Sequence, residues 1–259
     1  MNQEVDLEKK WVAGTPRVYM RLPVPLVFCP GCNHGLVIKM LCDVIGELGI
    51  EGRTVGINAA TCGASSCVLV GVDWVFGAHG RPADIATAIK RVSRGNLILV
   101  TYQGDGDCFA IGTEGTIHAA IRGERITVLM VNNQNYGTTG GQMSPTTLVG
   151  WKTTTTPYGR DPKRDGYPAL VPELLANIKG VAYSARGAVN NPANYQKSKK
   201  YIKTALQKQV DDIGFSFVEI ISACPPDWHL TPLECLKRIE EEIIPQMPLG
   251  EFKNVDRID

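Results

Sequence analysis

Apolar residues from Gly35 to Leu48 (Leu36, Val37, Ile38, Leu41, Val44, Ile45 and Leu48) recur at helical spacing, and Gly49 follows as a stop signal, so the pattern predicts a helix. Thr54–Asn58 then reads as a short buried strand, Ala83–Val92 as a helix, Leu97–Tyr102 as a strand and Ala110–Ile121 as a helix. Ile126–Val131 is continuously apolar and β-branched, with none of the polar alternation of a half-solvated strand. Such runs separated by helices suit strands buried on both faces of a parallel sheet. Residues 132–167, rich in Thr, Gly and Pro, carry neither period; a loop of that length inside a compact domain is usually functional. Regular structure resumes with a helix over 171–178, a strand over 181–185, a helix over 193–210, a strand over 215–221 and a last helix over 232–244. This alternation predicts an α/β fold with a doubly wound, mostly parallel sheet. The boundaries follow as a single domain, 1–259, with an N-terminal arm over about 1–25 that ends at Leu22-Pro23-Val24-Pro25 and a C-terminal tail over about 245–259.

The length of 259 residues suits one elaborated α/β core, and a composition of 44% hydrophobic and 20% charged residues is ordinary for a globular chain. No apolar run approaches the ~20 residues of a membrane span, and Met1–Lys10 is polar, so neither anchor nor signal peptide is expected and the compartment reads as cytoplasmic. A formal charge of +1 gives no basis for a nucleic-acid or membrane surface. Eight cysteines in such a chain point to metal binding, redox chemistry or burial more than to disulfides.

Gly104-Asp105-Gly106-Asp107 stands where a strand ends and a helix begins, the edge at which such folds bind ligands. Glycines there admit an anion to the backbone, and the following helix offers free N–H groups. Asp105 by itself would repel a phosphate; a carboxylate aimed at a diphosphate requires a hard cation between them, and magnesium takes carboxylate and phosphate oxygens in an octahedron. Asn133 follows Asp105 by 28 positions, one helix and one strand later, so Asp105, the Asn133 side-chain oxygen and a carbonyl at Asn135 can converge on one ion. Gly-Asp-Gly alone is a common turn and Asn-Asn a common loop start; their separation on matching strand ends is what favours a cofactor site. The pair resembles the thiamine-diphosphate enzyme motif.

Cys29-Pro30-Gly31-Cys32 can be a redox dithiol, a zinc half-site or half of an iron–sulfur ligand set. No strand precedes it, as a thioredoxin-like motif would want, and no second CxxC exists to complete a zinc ribbon. A four-cysteine set gathered from distant segments is compatible with a [4Fe–4S] cluster.

Together with Cys29-Pro30-Gly31-Cys32-Asn33-His34-Gly35, the segments Thr61-Cys62-Gly63, His79-Gly80-Arg81-Pro82, Tyr136 to Met143, Pro145-Thr146-Thr147 and Cys224-Pro225-Pro226-Asp227-Trp228 resemble the β subunit of the 2-oxoacid:ferredoxin oxidoreductases over most of the chain. The resemblance implies the thiamine-diphosphate-binding fold, and cluster ligands at Cys29, Cys32, Cys62 and Cys224. Asn33 stands where the family usually has Gly, and Thr61-Cys62-Gly63 where it has Gly-Cys-Ser. Gly104, Gly106, Asp107, Gly137 and Thr138 would line the diphosphate, while Asp105, Asn133 and Asn135 would hold Mg2+. His34 and His79 are candidates to touch the cofactor or tune the cluster, with satisfaction by loop backbone groups as the alternative for each. Cys42, Cys108 and Cys235 are expected to pack.

The activity implied is oxidative decarboxylation of a 2-oxoacid to an acyl-CoA and CO2, with coenzyme A as co-substrate and electrons leaving through the cluster to ferredoxin. The variants at 145–147 and 224–228 resemble members acting on 2-oxoisovalerate or 2-oxoglutarate. The glutamate that activates the aminopyrimidine ring comes, in this family, from a separate pyrimidine-binding domain, so an α subunit supplying that half-site is expected, with a small ferredoxin-like subunit as a further candidate partner. Rival readings are a non-oxidative thiamine decarboxylase or carboligase, and a zinc-stabilised binding module.

Overall fold

The computed structural model describes residues 18, 19, 27–93 and 96–258. Helix α1 (His34–Leu48) buries Val37, Ile38, Leu41, Val44 and Ile45, and the Ile50 N–H closes its end on the Ile45 carbonyl. Strand β1 (Thr54–Ala59) follows, then a 3-10 turn over Cys62–Val68, strand β2 (Asp73–Gly77) and helix α2 (Pro82–Val92). Strand β3 (Ile98–Gly104) enters a π-helical turn over Asp107–Ile111 before helix α3 (Thr113–Ile121) and strand β4 (Thr127–Asn132). The segment that follows holds a hairpin of two-residue strands, β5 (Asn135–Tyr136) with β6 (Gln142–Met143), and a one-turn helix, α4 (Pro162–Asp165). Beyond it come helix α5 (Val171–Ala176), strand β7 (Val181–Ala188), helix α6 (Pro192–Val210) and strand β8 (Phe215–Ile221). The chain continues through short helices α7 (Pro225–Trp228) and α8 (Pro232–Arg238) into strand β9 (Gly250–Asn254).

One seven-stranded sheet, ordered β2-β1-β3-β4-β8-β7-β9, is parallel except for the antiparallel pair β7–β9. Every residue of β4, β7 and β8 is buried, as befits strands covered on both faces of a parallel sheet. Side chains alternate between two layers. Leu129 and Val131 of β4 pack with α1 and α6, through Ile38, Ile45, Ile202 and Leu206. Val128 and Met130 pack on the other face with Ala86 of α2, Ala119 of α3 and Leu175 of α5. Each fully buried aliphatic side chain contributes roughly 1.5–3 kcal/mol, so these two layers, and not local propensity, hold the helices in place.

Four expectations change. β2, a half-exposed edge strand, has neither a clean alternation nor an apolar run. The expected C-terminal tail over 245–259 includes β9, whose polar Gly-Glu-Phe-Lys-Asn run pairs with β7 at the sheet edge. The last helix is α-helical only to Arg238 and continues as a π-helical turn over Ile239–Ile243. The 132–167 segment, expected to lack regular structure, contains β5, β6 and α4. It is held by the Arg160 guanidinium, 5% exposed, which donates to the carbonyls of Ser144, Pro145, Thr147, Gly166 and Tyr167. The expected N-terminal arm lies outside the described residues except for Val18 and Tyr19, and Tyr19 bridges Val70.

Gly180, before β7, lies against the turn after α3: a Cβ there would stand 2.3 Å from the Ala120 carbonyl oxygen and 2.6 Å from the Gly123 nitrogen. Gly180→Ala should therefore cost about 2 kcal/mol and lower Tm by about 4–8 °C. Gly52→Ala, with nothing within 4 Å, should leave Tm unchanged in the same thermal-unfolding experiment.

Candidate active site

The chain crosses from β2 past β1 to β3, so the strand order reverses direction between β1 and β3. Ligands bind at the carboxyl ends of strands at such a reversal. A cavity of about 380 Å³ opens there, between the loops that leave β1, β3 and β4. Gly104, Asp105, Gly106 and Asp107 line one side, Asn133, Asn135, Gly137 and Thr138 another, and Cys62, His34 and His79 the rest.

Asp105 is 1% exposed, and its Oδ2 accepts from the hydroxyls of Ser144 and Thr146, each at 2.6 Å. The Asn133 amide oxygen stands 3.2 Å from Asp105 Oδ1 and 2.6 Å from the Asn135 carbonyl oxygen, three acceptors with no donor among them. Turning the amide makes both contacts hydrogen bonds; leaving it as it stands calls for a cation. Mg2+ takes carboxylate and carbonyl oxygens, so the chemistry of this donor set fits that ion. Without the ion, burial pushes the Asp105 carboxyl up to about 6. Nothing lies within 4 Å of a Cβ built on Gly104, so its backbone faces the cavity uncovered, whereas a Cβ on Gly106 would strike the Tyr136 ring at 2.3 Å.

Asp107 braces the neighbouring loop instead. Its carboxylate accepts from the Gly80 N–H at 2.5 Å and from Gln103 Nε2 at 3.1 Å, fixing the 79–80 turn beside the cavity. His79 Nδ1 lies 3.2 Å from the Ala60 carbonyl oxygen and 3.4 Å from Asp107 Oδ1. His34 is buried, stacks on Phe28 at 5.2 Å and hydrogen-bonds the Tyr102 hydroxyl at 2.9 Å. Burial pushes it down to about 4, so the imidazole is neutral at pH 7.

The cysteines gather beside this cavity. A turn links Cys29 and Cys32, and Gly31 at its tip packs on Pro232 and on Pro225, the residue after Cys224. The Asn33 side-chain oxygen accepts from the Ala223 N–H at 2.7 Å and ties the same two segments together. Cys62 Sγ lies 3.0 Å from the Thr138 hydroxyl, while the Cys224 thiol donates to Asp227 at 3.2 Å. Gly137 stands between them: a Cβ there would be 3.1 Å from Cys62 Sγ and 3.5 Å from Asp227 Oδ2. Burial, with neighbouring thiolates adding to it, pushes Cys32 up to about 11; burial likewise raises Cys62 and Cys224. Among the described residues no three His, Cys, Asp or Glu side chains converge on one ion. A [4Fe–4S] cluster is held by cysteine thiolates. Cys29, Cys32 and Cys62 lie close enough to influence one another electrostatically, and the turn carrying Cys29 and Cys32 packs on the segment that follows Cys224, a set of soft donors whose chemistry fits such a cluster. Cys42, Cys108 and Cys235 are buried in the packed layers.

Residues 62–220 match the family described as thiamine pyrophosphate enzyme, C-terminal TPP binding domain. The 2-oxoglutarate synthase subunit KorB of Methanocaldococcus jannaschii is 32% identical, over 92% of this chain and 92% of that one. The chain belongs to the 2-oxoacid:ferredoxin oxidoreductase β-subunit family. The ketoisovalerate oxidoreductase subunit VorA of Methanothermobacter marburgensis is 39% identical over 90% of this chain and 48% of its own length, so the chain spans about half of that relative. The 2-oxoglutarate:ferredoxin oxidoreductase from Magnetococcus marinus superposes with a TM-score of 0.76 at 24% identity, over 97% of this chain and 87% of that one, a likeness of fold.

Within this β-subunit frame, sequence reasoning omitted Ser144 and Asp227 as site residues and left Tyr136 and Thr146 as motif letters. All four act through contacts made across the fold, with Asp105, Gly106, Asn135 or Cys224. No linear spacing marks them, although three fall in the family-like segments 136–143, 145–147 and 224–228.

The neutral His34 gives a pH signature. Its folded pKa, about 4, is below the ordinary 6.5, so its contribution is present above pH 6.5 and is lost as pH falls toward 4. Denaturant titrations over pH 4–7 should show the wild-type protein losing roughly 3 kcal/mol more than His34→Gln across that window.

Proposed function

We propose that this chain is the half of a 2-oxoacid:ferredoxin oxidoreductase that holds thiamine diphosphate through Mg2+ and carries a [4Fe–4S] cluster. The complex would convert a 2-oxoacid and coenzyme A to an acyl-CoA and CO2 and pass the electrons to ferredoxin. The observation that carries this reading is a shared wall: Cys62 lines the same cavity as the Asp105, Asn133 and Asn135 oxygens. Redox chemistry and diphosphate binding then meet in one place.

In this reading Asp105, the Asn133 amide oxygen and the Asn135 carbonyl hold Mg2+, and Gly104, Gly106, Asp107, Gly137 and Thr138 line the diphosphate end. Cys29, Cys32, Cys62 and Cys224 hold the cluster. Thiamine diphosphate supplies the nucleophilic carbon and the electron sink that decarboxylation needs, which no side chain here provides. The protein's own work is positioning. Ser144 and Thr146 fix the Asp105 carboxylate, Tyr136 covers Gly106, and the Thr138 hydroxyl contacts the Cys62 thiol on the cavity wall. Neutral His34 and the His79–Asp107 pair remain candidates for cofactor contact and cluster tuning.

Among the described residues no glutamate lines the cavity, and Ile111 on its wall is 52% exposed. Both features favour a partner α subunit that supplies the pyrimidine half-site and covers this apolar rim. The reading includes a single domain over 1–259 and a small ferredoxin-like subunit as a further partner. The names of the KorB and VorA relatives support 2-oxoglutarate or ketoisovalerate as substrate.

The test is the visible spectrum of the anaerobically purified complex, followed while 2-oxoacids are added singly with thiamine diphosphate, Mg2+ and coenzyme A. One acid should bleach the cluster absorption. Cys62→Ser and Cys224→Ser should lose that absorption, and Asp105→Asn should weaken Mg2+-dependent thiamine diphosphate binding by about 10–100-fold. A colourless, zinc-containing protein, or a cluster that no 2-oxoacid reduces, would refute the reading.

A further inference from the structure

A buried ion pair lies behind the oxygen triad. Arg186 on β7 and Glu219 on β8 face each other in register, and both side chains are 0% exposed. Arg186 Nε donates to Glu219 Oε2 at 2.6 Å, and its two Nη groups donate to the Glu173 carboxylate at 2.6 and 2.7 Å. Replacing such a pair by apolar side chains is often neutral or stabilising, because desolvation offsets the attraction. Stability is therefore a poor account of why it stands in the middle of a parallel sheet.

The second oxygen of Glu219 makes a contact that stability does not require, accepting from Asn132 Nδ2 at 2.5 Å. A carboxylate accepts and does not donate, so the Asn132 amide must present its NH2 to Glu219 and its oxygen to the opposite side. That oxygen accepts from the Gln134 N–H at 2.9 Å and lies 2.9 Å from the Thr146 hydroxyl. The bond to Gln134 is an Asx turn, which lets a side chain bend the backbone two residues on. It holds Gln134 at φ 61°, a left-handed conformation that costs a non-glycine residue about 1–2 kcal/mol. Gln134 stands between Asn133 and Asn135, so its backbone conformation sets the Asn135 carbonyl oxygen beside the Asn133 amide oxygen, which in turn meets Asp105 Oδ1.

We propose that Glu219, held by Arg186, is a positioning residue: it locks the orientation of the Asn132 amide and thereby the 132–135 turn that presents two of the three oxygens. This rests on the reading of the triad as a Mg2+–diphosphate site. Glu219→Gln keeps the shape but can donate as well as accept, so the Asn132 amide is free to turn over and release Gln134.

The measurement is the dissociation constant for Mg2+ of the assembled complex at saturating thiamine diphosphate, by calorimetry, with Tm recorded in parallel. Glu219→Gln should weaken Mg2+ binding about tenfold. Asn132→Ala leaves all of the ion pairs intact and should weaken it at least as much. The double variant should be no weaker than Asn132→Ala alone, because both changes act through one amide. A lower Tm with unchanged Mg2+ affinity in Glu219→Gln, or effects that multiply in the double variant, would overturn the proposal and leave a purely structural pair. If Glu219→Gln does not assemble, unchanged affinity in Asn132→Ala overturns it equally. A wild-type complex that binds thiamine diphosphate without Mg2+ would instead sink the reading of the site, and this inference with it.

Discussion

A carboxylate taken out of water needs compensation, and at Asp105 the protein supplies only part of it. Two hydroxyls serve Oδ2, and the backbone N–H groups of Asp105 and Gly106 also donate to the carboxylate, while Oδ1 faces the Asn133 amide oxygen. Burial outweighs these hydrogen bonds, and the rise of Asp105 toward 6 expresses that desolvation cost. The surroundings are arranged around this buried carboxylate. Strand ends at a topological reversal bring three oxygen donors together, and the 132–167 segment closes over them, fastened by the buried Arg160 guanidinium. In the proposed function, fixing these oxygens beforehand would lower the ordering cost of binding the cation.

The cysteines pose a related problem at the neighbouring rim. Thiols removed from water resist ionisation, and each thiolate formed raises the others. The fold still gathers them, by packing the Cys29–Cys32 turn on the 225–232 segment and by setting Cys62 next to Thr138. Gly137 is the meeting point, since the amide of Asn133, the sulfur of Cys62 and the carboxylate of Asp227 all crowd its missing side chain. The buried oxygens around Asp105 and the un-ionised Cys62 thiol thus share a wall. In the proposed function that wall is where a cation-held cofactor and a redox centre would meet.

The chain itself determined the features that depend on local periodicity or short spacing. The apolar run at 126–131 required a strand covered on both faces, the stripe at 35–48 required a helix, and Asp105 with Asn133, one helix and one strand apart, had to return to the same sheet edge. The tertiary structure decided what no local signal encodes. β2 and β9 are strands only because a neighbouring edge offers hydrogen bonds to sequences with weak patterns of their own. Ser144 and Thr146 reach Asp105 across 39 and 41 positions, and Asn132 reaches Glu219 across 87. Those partners are fixed by the packing of distant segments: periodicity records which face of an element is buried, and only the folded chain decides which polar group waits there.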